Sequence, residues 1–300
     1  MKLKAVLLLA GLLAVAIAPV SAQSPFKVMT WNIRYGTAND GAHAWPNRRD
    51  HVIATIRDHS PGILGVQEAL RFQLDELLAA LAAYVSVGVG RDDGVDKGEF
   101  SAILVDTTRF EVNASGTVWF SDTPQEPGST SWGNSIPRIH TWALLYDRVE
   151  DERIWVYNLH LDHQSQPSRE KSVEFLVSEQ RRRADSQRAR DSNDAEYGGA
   201  RPDPRLIVMG DFNSGEDNPA FKRALEAGWR SALRVIHPDS AFAGTFTGFR
   251  DEVDANSGVI DHVLLGAGWQ VDDAGIDTRR YGATWPSDHF PVWAVLSVSR

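Results

Sequence analysis

The sequence predicts one α/β domain of alternating strands and helices, and three observations predict it. Short apolar runs of strand length recur and end in polar residues; several segments carry apolar residues at helical spacing; no linker or internal repeat divides the 300 residues. A composition of 42% hydrophobic and 24% charged residues excludes collagen-like and wholly disordered chains.

The elements follow in order. Lys2 and Lys4 precede an apolar run from Ala5 to Val20, and Val20-Ser21-Ala22 offers the small residues a signal peptidase reads. Residues 1–22 are expected to be a cleaved signal peptide, leaving residues 23–300 as a single domain in the periplasm or outside the cell. Phe26–Ile33 reads as a strand, and Arg48–Asp58 as a helix with Val52, Ile53 and Ile56 at helical spacing after Trp45-Pro46-Asn47. Ile63–Glu68 is a short buried strand, and Arg71–Tyr84 a helix with a stripe of Leu74, Leu77, Leu78 and Leu81. Strands are predicted at Ser101–Val105, Thr117–Phe120, His140–Tyr146 and Ile154–Leu161, between Gly, Pro, Asp and Ser punctuation. A helix starts near Ser168 or Arg169, with Arg181–Arg183 on a solvated face, and Asp185–Pro204 is expected to be a solvated loop. Leu206–Gly210 is a strand, Pro219–Ala227 a helix, and Gly258–Leu265 and Pro291–Val298 the late strands.

Charge and composition narrow the chemistry. Lys plus Arg number 31 against 40 Asp plus Glu, and loss of Lys2 and Lys4 would take the formal charge from −9 to −11, so bulk electrostatics do not favour wrapping by duplex nucleic acid. The chain has no cysteine, which removes disulfides, thiolate nucleophiles and Cys-based metal sites. G-x-S-x-G, the phosphate-binding GxxxxGK[ST] loop, the dinucleotide fingerprint and HExxH are all missing.

What remains is a set of polar strand ends. Asn32 follows MTW, Gln67-Glu68 follows LGV, and His160, Asp162 and His163 follow VYN. Asp211 and Asn213 follow IVMG, Asp261-His262 follows GVI, and Ser287-Asp288-His289 precedes the last strand. One acid at a strand end is more often a turn or cap than a catalyst. Six such clusters are different, because carboxylates converging above a sheet repel unless a hard cation takes their oxygens. A donor set of Asp, Glu and Asn favours magnesium, manganese or calcium over zinc. His160 and His289 stand among acids, as an imidazole held in one tautomer for proton transfer must.

These motifs resemble the endonuclease/exonuclease/phosphatase superfamily, in its secreted bacterial, deoxyribonuclease-like branch. The resemblance rests on TWNIR at 30–34, VQE at 66–68, NLHLDH at 158–163, GDFN at 210–213, IDH at 260–262 and SDHFP at 287–291. WPNRR at 45–49, VGVGRDDG at 87–94, GEFSAI at 98–103 and TFTGF at 245–249 add to it. It implies a four-layer α/β sandwich, with two mixed β-sheets face to face and helices outside. It also implies a divalent-metal-dependent phosphoesterase using Mg2+ or Mn2+, with Ca2+ compatible. By the same resemblance Glu68 is the principal metal ligand, with Asn32 and Asp288 beside it. Asp211 and Asn213 would orient the attacking water and the phosphoryl oxygens. Asp261 would hold His289, His160 would be the second catalytic histidine, and Glu99 would orient His160.

Arg34, Arg91 and Arg138 are candidate guanidinium forks for substrate phosphate. His262 is read as a packing residue as readily as a catalytic one, and Trp45, Trp132 and Trp285 as packing anchors. The expected reaction is in-line attack of water on a phosphodiester of a small molecule or lipid headgroup. A nuclease, a phosphomonoesterase and a catalytically silent binding protein of the same fold are the alternatives. No heptad or long apolar edge calls for a partner subunit, so a monomer is expected.

Overall fold

The computed structural model describes residues 24–198, 202–251 and 258–299; the signal-peptide expectation for residues 1–22 lies outside them. In chain order the elements are β1 (Phe26–Asn32), α1 (Trp45–His59), β2 (Ile63–Ala69), α2 (Arg71–Ala80), β3 (Tyr84–Val87) and β4 (Phe100–Asp106). Next come β5 (Phe110–Trp119), β6 (Ile139–Asp147), β7 (Glu152–His160), α3 (Gln166–Gly198), β8 (Arg205–Asp211) and α4 (Pro219–Glu226). β9 (Arg230–Ser231), α5 (Ala232–Ile236), β10 (Asp261–Leu265), β11 (Trp269–Ile276) and β12 (Val292–Val298) complete the order. The strands form two six-stranded sheets, β11-β12-β1-β2-β4-β3 and β5-β6-β7-β8-β10-β9. Both are mixed, since β1–β2 and β7–β8 run parallel and the other pairs antiparallel.

Strand periodicity explains the layers. Successive side chains point to opposite faces, so Val28 enters the core between the sheets while Met29 faces the α1 and α2 layer. Ile154 and Val156 likewise join the inter-sheet core, whereas Trp155 and Tyr157 pack with Val173 and Leu176 of α3 and Phe221 of α4. Both faces of the central strands are covered, which is why their sequences read as continuous apolar runs. The result is the four-layer sandwich, and no helix among the described residues is long and apolar enough to cross a membrane.

Several boundaries differ from the sequence expectation for physical reasons. α1 starts at Trp45, with Pro46 in a first turn whose N–H groups need no helical partner, and ends at left-handed Ser60 (φ 44°). α2 stops at Ala80 because Tyr84 is drawn into a strand, paired with Asp106. The polar segment expected as a loop from Asp185 is helical as far as Gly198, where α3 ends, and residues 202–204 are irregular. Pairs such as Arg188–Asp185 support the helix along its length, and Arg153 of β7 grips Asp191 with two bonds of 2.8 Å. Arg181 and Arg182 are exposed on this helix, as expected of a solvated face.

Gly210 shows how closely the strands pass. Its φ is 148°, and a Cβ there would lie 2.1 Å from the Leu159 carbonyl oxygen of β7. Backbone cannot move aside as a flexible side chain can, so Gly210→Ala is expected to destabilise the fold by at least about 1–3 kcal/mol. A thermal melt of the variant indistinguishable from that of the parent would contradict this.

Candidate active site

Strand register assembles the site at one edge of the sandwich. Parallel pairing sets Asn32 against Gln67 and His160 against Asp211, and antiparallel β10 starts with Asp261 opposite Asp211. Phe246 bridges to His289, and the Thr247 backbone N–H and hydroxyl both donate to the Asp288 carbonyl. Six sequence-distant polar clusters thus meet above the inter-sheet core.

Asn32 links the two halves of this cluster. Its Nδ2 donates to Glu68 Oε1 and to Asp211 Oδ2, both at 3.0 Å, and its Oδ1 accepts from the Arg34 backbone N–H at 3.0 Å. A bulge in β2 turns Glu68 into left-handed backbone (φ 61°), aiming its carboxylate off the strand. The other Glu68 oxygen accepts from the Tyr35 N–H at 3.2 Å. Asp288 is buried, and Arg34 stands 3.8 Å from it and 4.0 Å from Glu68. Burial pushes the Asp288 carboxyl above the usual range; His289 opposes the shift and the Glu68 charge adds to it.

Asp211 Oδ2 is the meeting point of the other half. Besides Asn32, His160 Nε2 lies 3.5 Å and His289 Nε2 3.8 Å from it. Asp211 Oδ1 accepts from the Asn213 N–H at 2.8 Å, with Asn213 in left-handed backbone (φ 46°) and its Nδ2 donating to the Leu161 carbonyl. Burial, reinforced by the Asp261 charge, pushes Asp211 up to about 7 against the opposing His289, Asn32 and Asn213.

The two histidines are shifted in opposite senses. His289 Nδ1 pairs with Asp261 Oδ2 at 2.9 Å. Burial would lower its pKa, but Asp261, Asp211 and Asp288 outweigh burial and raise it to about 10, so the ring is an imidazolium at neutral pH. His160 is pushed well below the ordinary histidine value by burial and by the Arg138 and Arg91 charges, and is neutral.

A cavity of about 450 Å³ opens over these groups. All the expected site residues line it except Asn32 and Asp261, which lie behind Glu68 and His289. The three guanidiniums reach it already paired: Arg34 with Asp40 at 3.0 and 3.1 Å, Arg91 with Glu99 at 2.7 Å twice, and Arg138 with Asp162 and His163. Both Glu99 oxygens therefore go to Arg91; the expected Glu99–His160 hydrogen bond is not formed, although donor atoms of Glu68, Glu99 and His160 lie within 4.8 Å of one another. Burial raises Glu99 to about 7 despite Arg91.

His262 is a packing residue: Nε2 bonds the Ser214 carbonyl at 2.9 Å and the ring packs edge-to-face with Phe212 and tilted against Phe221. The indole N–H groups of Trp45, Trp132 and Trp285 bond Glu76, Asp122 and the Arg250 carbonyl, as anchors do. Sequence reasoning missed the apolar wall of Ile136, Phe246 and Ile260, and the Tyr35 contribution. Of these Phe246 and Ile260 carried a signal, in TFTGF and IDH.

The residues fit a divalent cation. Glu68 and Asp288 offer hard oxygens, and a carboxylate has more acceptor sites than Asn32, Tyr35 and Ser287 occupy. The buried Asp288, raised partly by the Glu68 charge, is the repulsion that an added cation relieves.

Comparisons with known proteins identify the family and the fold. The sequence model of the Endonuclease/Exonuclease/phosphatase family matches residues 29–289. An endonuclease/exonuclease/phosphatase from Bacteroides vulgatus is similar at 27% identity, with 92% of this chain and 100% of that one covered and a TM-score of 0.76. A mannosyl-6-phosphatase from Bacteroides thetaiotaomicron is 29% identical over 90% of this chain and 99% of its own, with a TM-score of 0.74. A functionally unknown protein from Enterococcus faecalis is 25% identical over 91% and 100%, with a TM-score of 0.77. Curated proteins give no match.

Proposed function

Because the chain belongs to the endonuclease/exonuclease/phosphatase family, we propose that it hydrolyses a phosphate ester of a small molecule by divalent-metal-assisted attack of water. The observation that carries this reading is the meeting of Asn32, His160 and His289 on Asp211 Oδ2 within a cavity rimmed by three guanidiniums. Glu68 and Asp288, with the second lone pair of Asn32 Oδ1, would hold the cation. When bound, Mg2+ or Mn2+ supplies positive charge to the phosphoryl oxygens as negative charge builds there.

The chain's own residues do the rest. Asp211, raised toward neutrality, accepts a proton from the attacking water while Asn32 and Asn213 hold its carboxylate in place. The water oxygen forms the new P–O bond as the ester P–O bond breaks. The His289 imidazolium, locked by Asp261, donates from Nε2 to a phosphoryl oxygen, and neutral His160 lies 3.5 Å from Asp211 Oδ2. Arg34, Arg91 and Arg138 line the approach, where guanidinium positive charge favours an anionic substrate. A leader over residues 1–22 would place this activity outside the cytoplasm.

Sequence reasoning favours a diester. A second reading, a terminal phosphate on a sugar, is favoured by the 29% identical mannosyl-6-phosphatase. Residues 23–300 should be assayed with bis-p-nitrophenyl phosphate, p-nitrophenyl phosphate and mannose 6-phosphate in Mn2+. Faster release from the diester supports the first reading, faster release from the monoesters the second. Turnover of none would overturn the proposal.

A further inference from the structure

We propose that Arg48 is a positioning residue for the divalent cation, its guanidinium setting the separation of Asn32 from Asp288 by tying the carbonyls of Ile33 and Arg34 to that of Pro286. The inference rests on the metal-dependent reading above. Arg48 lies in the first turn of α1, within WPNRR, and is wholly buried. Nε donates to the His43 carbonyl at 2.9 Å and Nη2 to that of Arg34 at 2.9 Å. Nη1 donates to the carbonyls of Ile33 at 2.5 Å and Pro286 at 3.1 Å. Its ring neighbours are Trp45 and Phe249, at 5.0 and 5.9 Å. Among the described residues no carboxylate hydrogen-bonds it.

The carbonyls it holds flank the metal-side residues. Ile33 and Arg34 directly follow Asn32, and Pro286 stands two residues before Asp288. Arg34 occupies left-handed backbone (φ 59°), a conformation that persists only when its surroundings hold it. They do: Arg48 Nη2 and Gln73 Nε2 both donate to its carbonyl, and its N–H is fixed on Asn32 Oδ1. From the segment before β12, Ser287 Oγ donates to the Asn32 carbonyl at 2.7 Å. Arg48 thus closes a short circuit of backbone bonds around Asn32 and Asp288.

Charge alone argues the other way. A buried cation without a carboxylate is costly to stability, and a positive charge beside a cation site repels the ion. What the planar fork offers is geometry, because five directed N–H groups reach four carbonyls that an ammonium cannot span. The two roles therefore predict opposite signs when the charge is removed.

The test is a Mn2+ titration followed by electron paramagnetic resonance, on residues 23–300 with Arg48→Lys and with Arg48→Gln, well below each variant's melting temperature. Both substitutions are expected to weaken Mn2+ binding by about 10–100-fold, the range for groups that orient metal ligands, and raised Mn2+ should restore phosphatase turnover. A merely structural residue would lower the melting temperature and leave the Mn2+ Kd of the folded variant unchanged. A Kd within twofold of the parent for Lys, or tighter binding for Gln, overturns the proposal, as does failure of both variants to fold. Absence of Mn2+ binding by the parent chain would instead overturn the metal-dependent reading beneath it.

Discussion

Asp211→Asn is expected to lower turnover by at least about 10³-fold at saturating Mn2+ while the fold is kept. Asp211 Oδ2 is the atom on which Asn32, His160 and His289 converge, so removing its basicity removes the proton acceptor for the attacking water. Its raised pKa also has a stability consequence. A buried carboxyl that folding shifts upward destabilises the native state above its unfolded pKa, near 3.8, with the cost full once pH passes about 7. The neutral amide removes that cost but turns one N–H against the Asn32 donor. The melting temperature in EDTA is therefore expected to hold or rise even as activity collapses. Near-normal kcat in the folded variant would remove Asp211 from the reaction.

His289→Ala is expected to cost about 10²–10⁴-fold in turnover and to change the shape of the stability–pH curve. The parent histidine is raised from 6.5 to about 10, so its charge pair with Asp261 stabilises fully below pH 6.5 and is lost as pH climbs through about 10. The variant leaves Asp261 buried without its imidazolium. Its deficit relative to the parent should be greatest below pH 6.5 and shrink toward pH 10, as read by urea unfolding across that range. A deficit independent of pH would show that the pair does not carry the shift.

Much of this was legible in the sequence because the central strands are covered on both faces. Val28 with Met29, and Trp155 with Val156, appear as unbroken apolar runs, and the polar residue that ends each run is by construction at the sheet's edge. The edge strands were only partly legible. Of β5 the sequence indicates only the end from Thr117, because Glu111, Asn113 and Ser115 face solvent, and β11, with Asp272 and Asp273 around a bulge, presents no apolar run. The polar end of α3 was missed because its support comes from ion pairs and from Arg153 on another element.

In the site, residue identities were readable but pairings were not. Nothing in the spacing of Arg91 and Glu99 indicates that a loop folds one onto the other, leaving His160 without that carboxylate. Arg48 was hidden for a related reason. Arginine is ordinarily a surface residue, and only the fold discloses four carbonyls around it.

In the mechanism proposed, a divalent ion held by Glu68 and Asp288 drives hydrolysis of a phosphate ester. Residues 23–300 should be stripped with EDTA, dialysed, and assayed on p-nitrophenyl phosphate and bis-p-nitrophenyl phosphate during titration with Mg2+ and Mn2+, beside Glu68→Gln. Turnover that is abolished by EDTA, restored by saturable metal addition and absent in the folded Glu68→Gln chain is the predicted result. Turnover that survives EDTA, or is equal in Glu68→Gln at the same metal concentration, would contradict it.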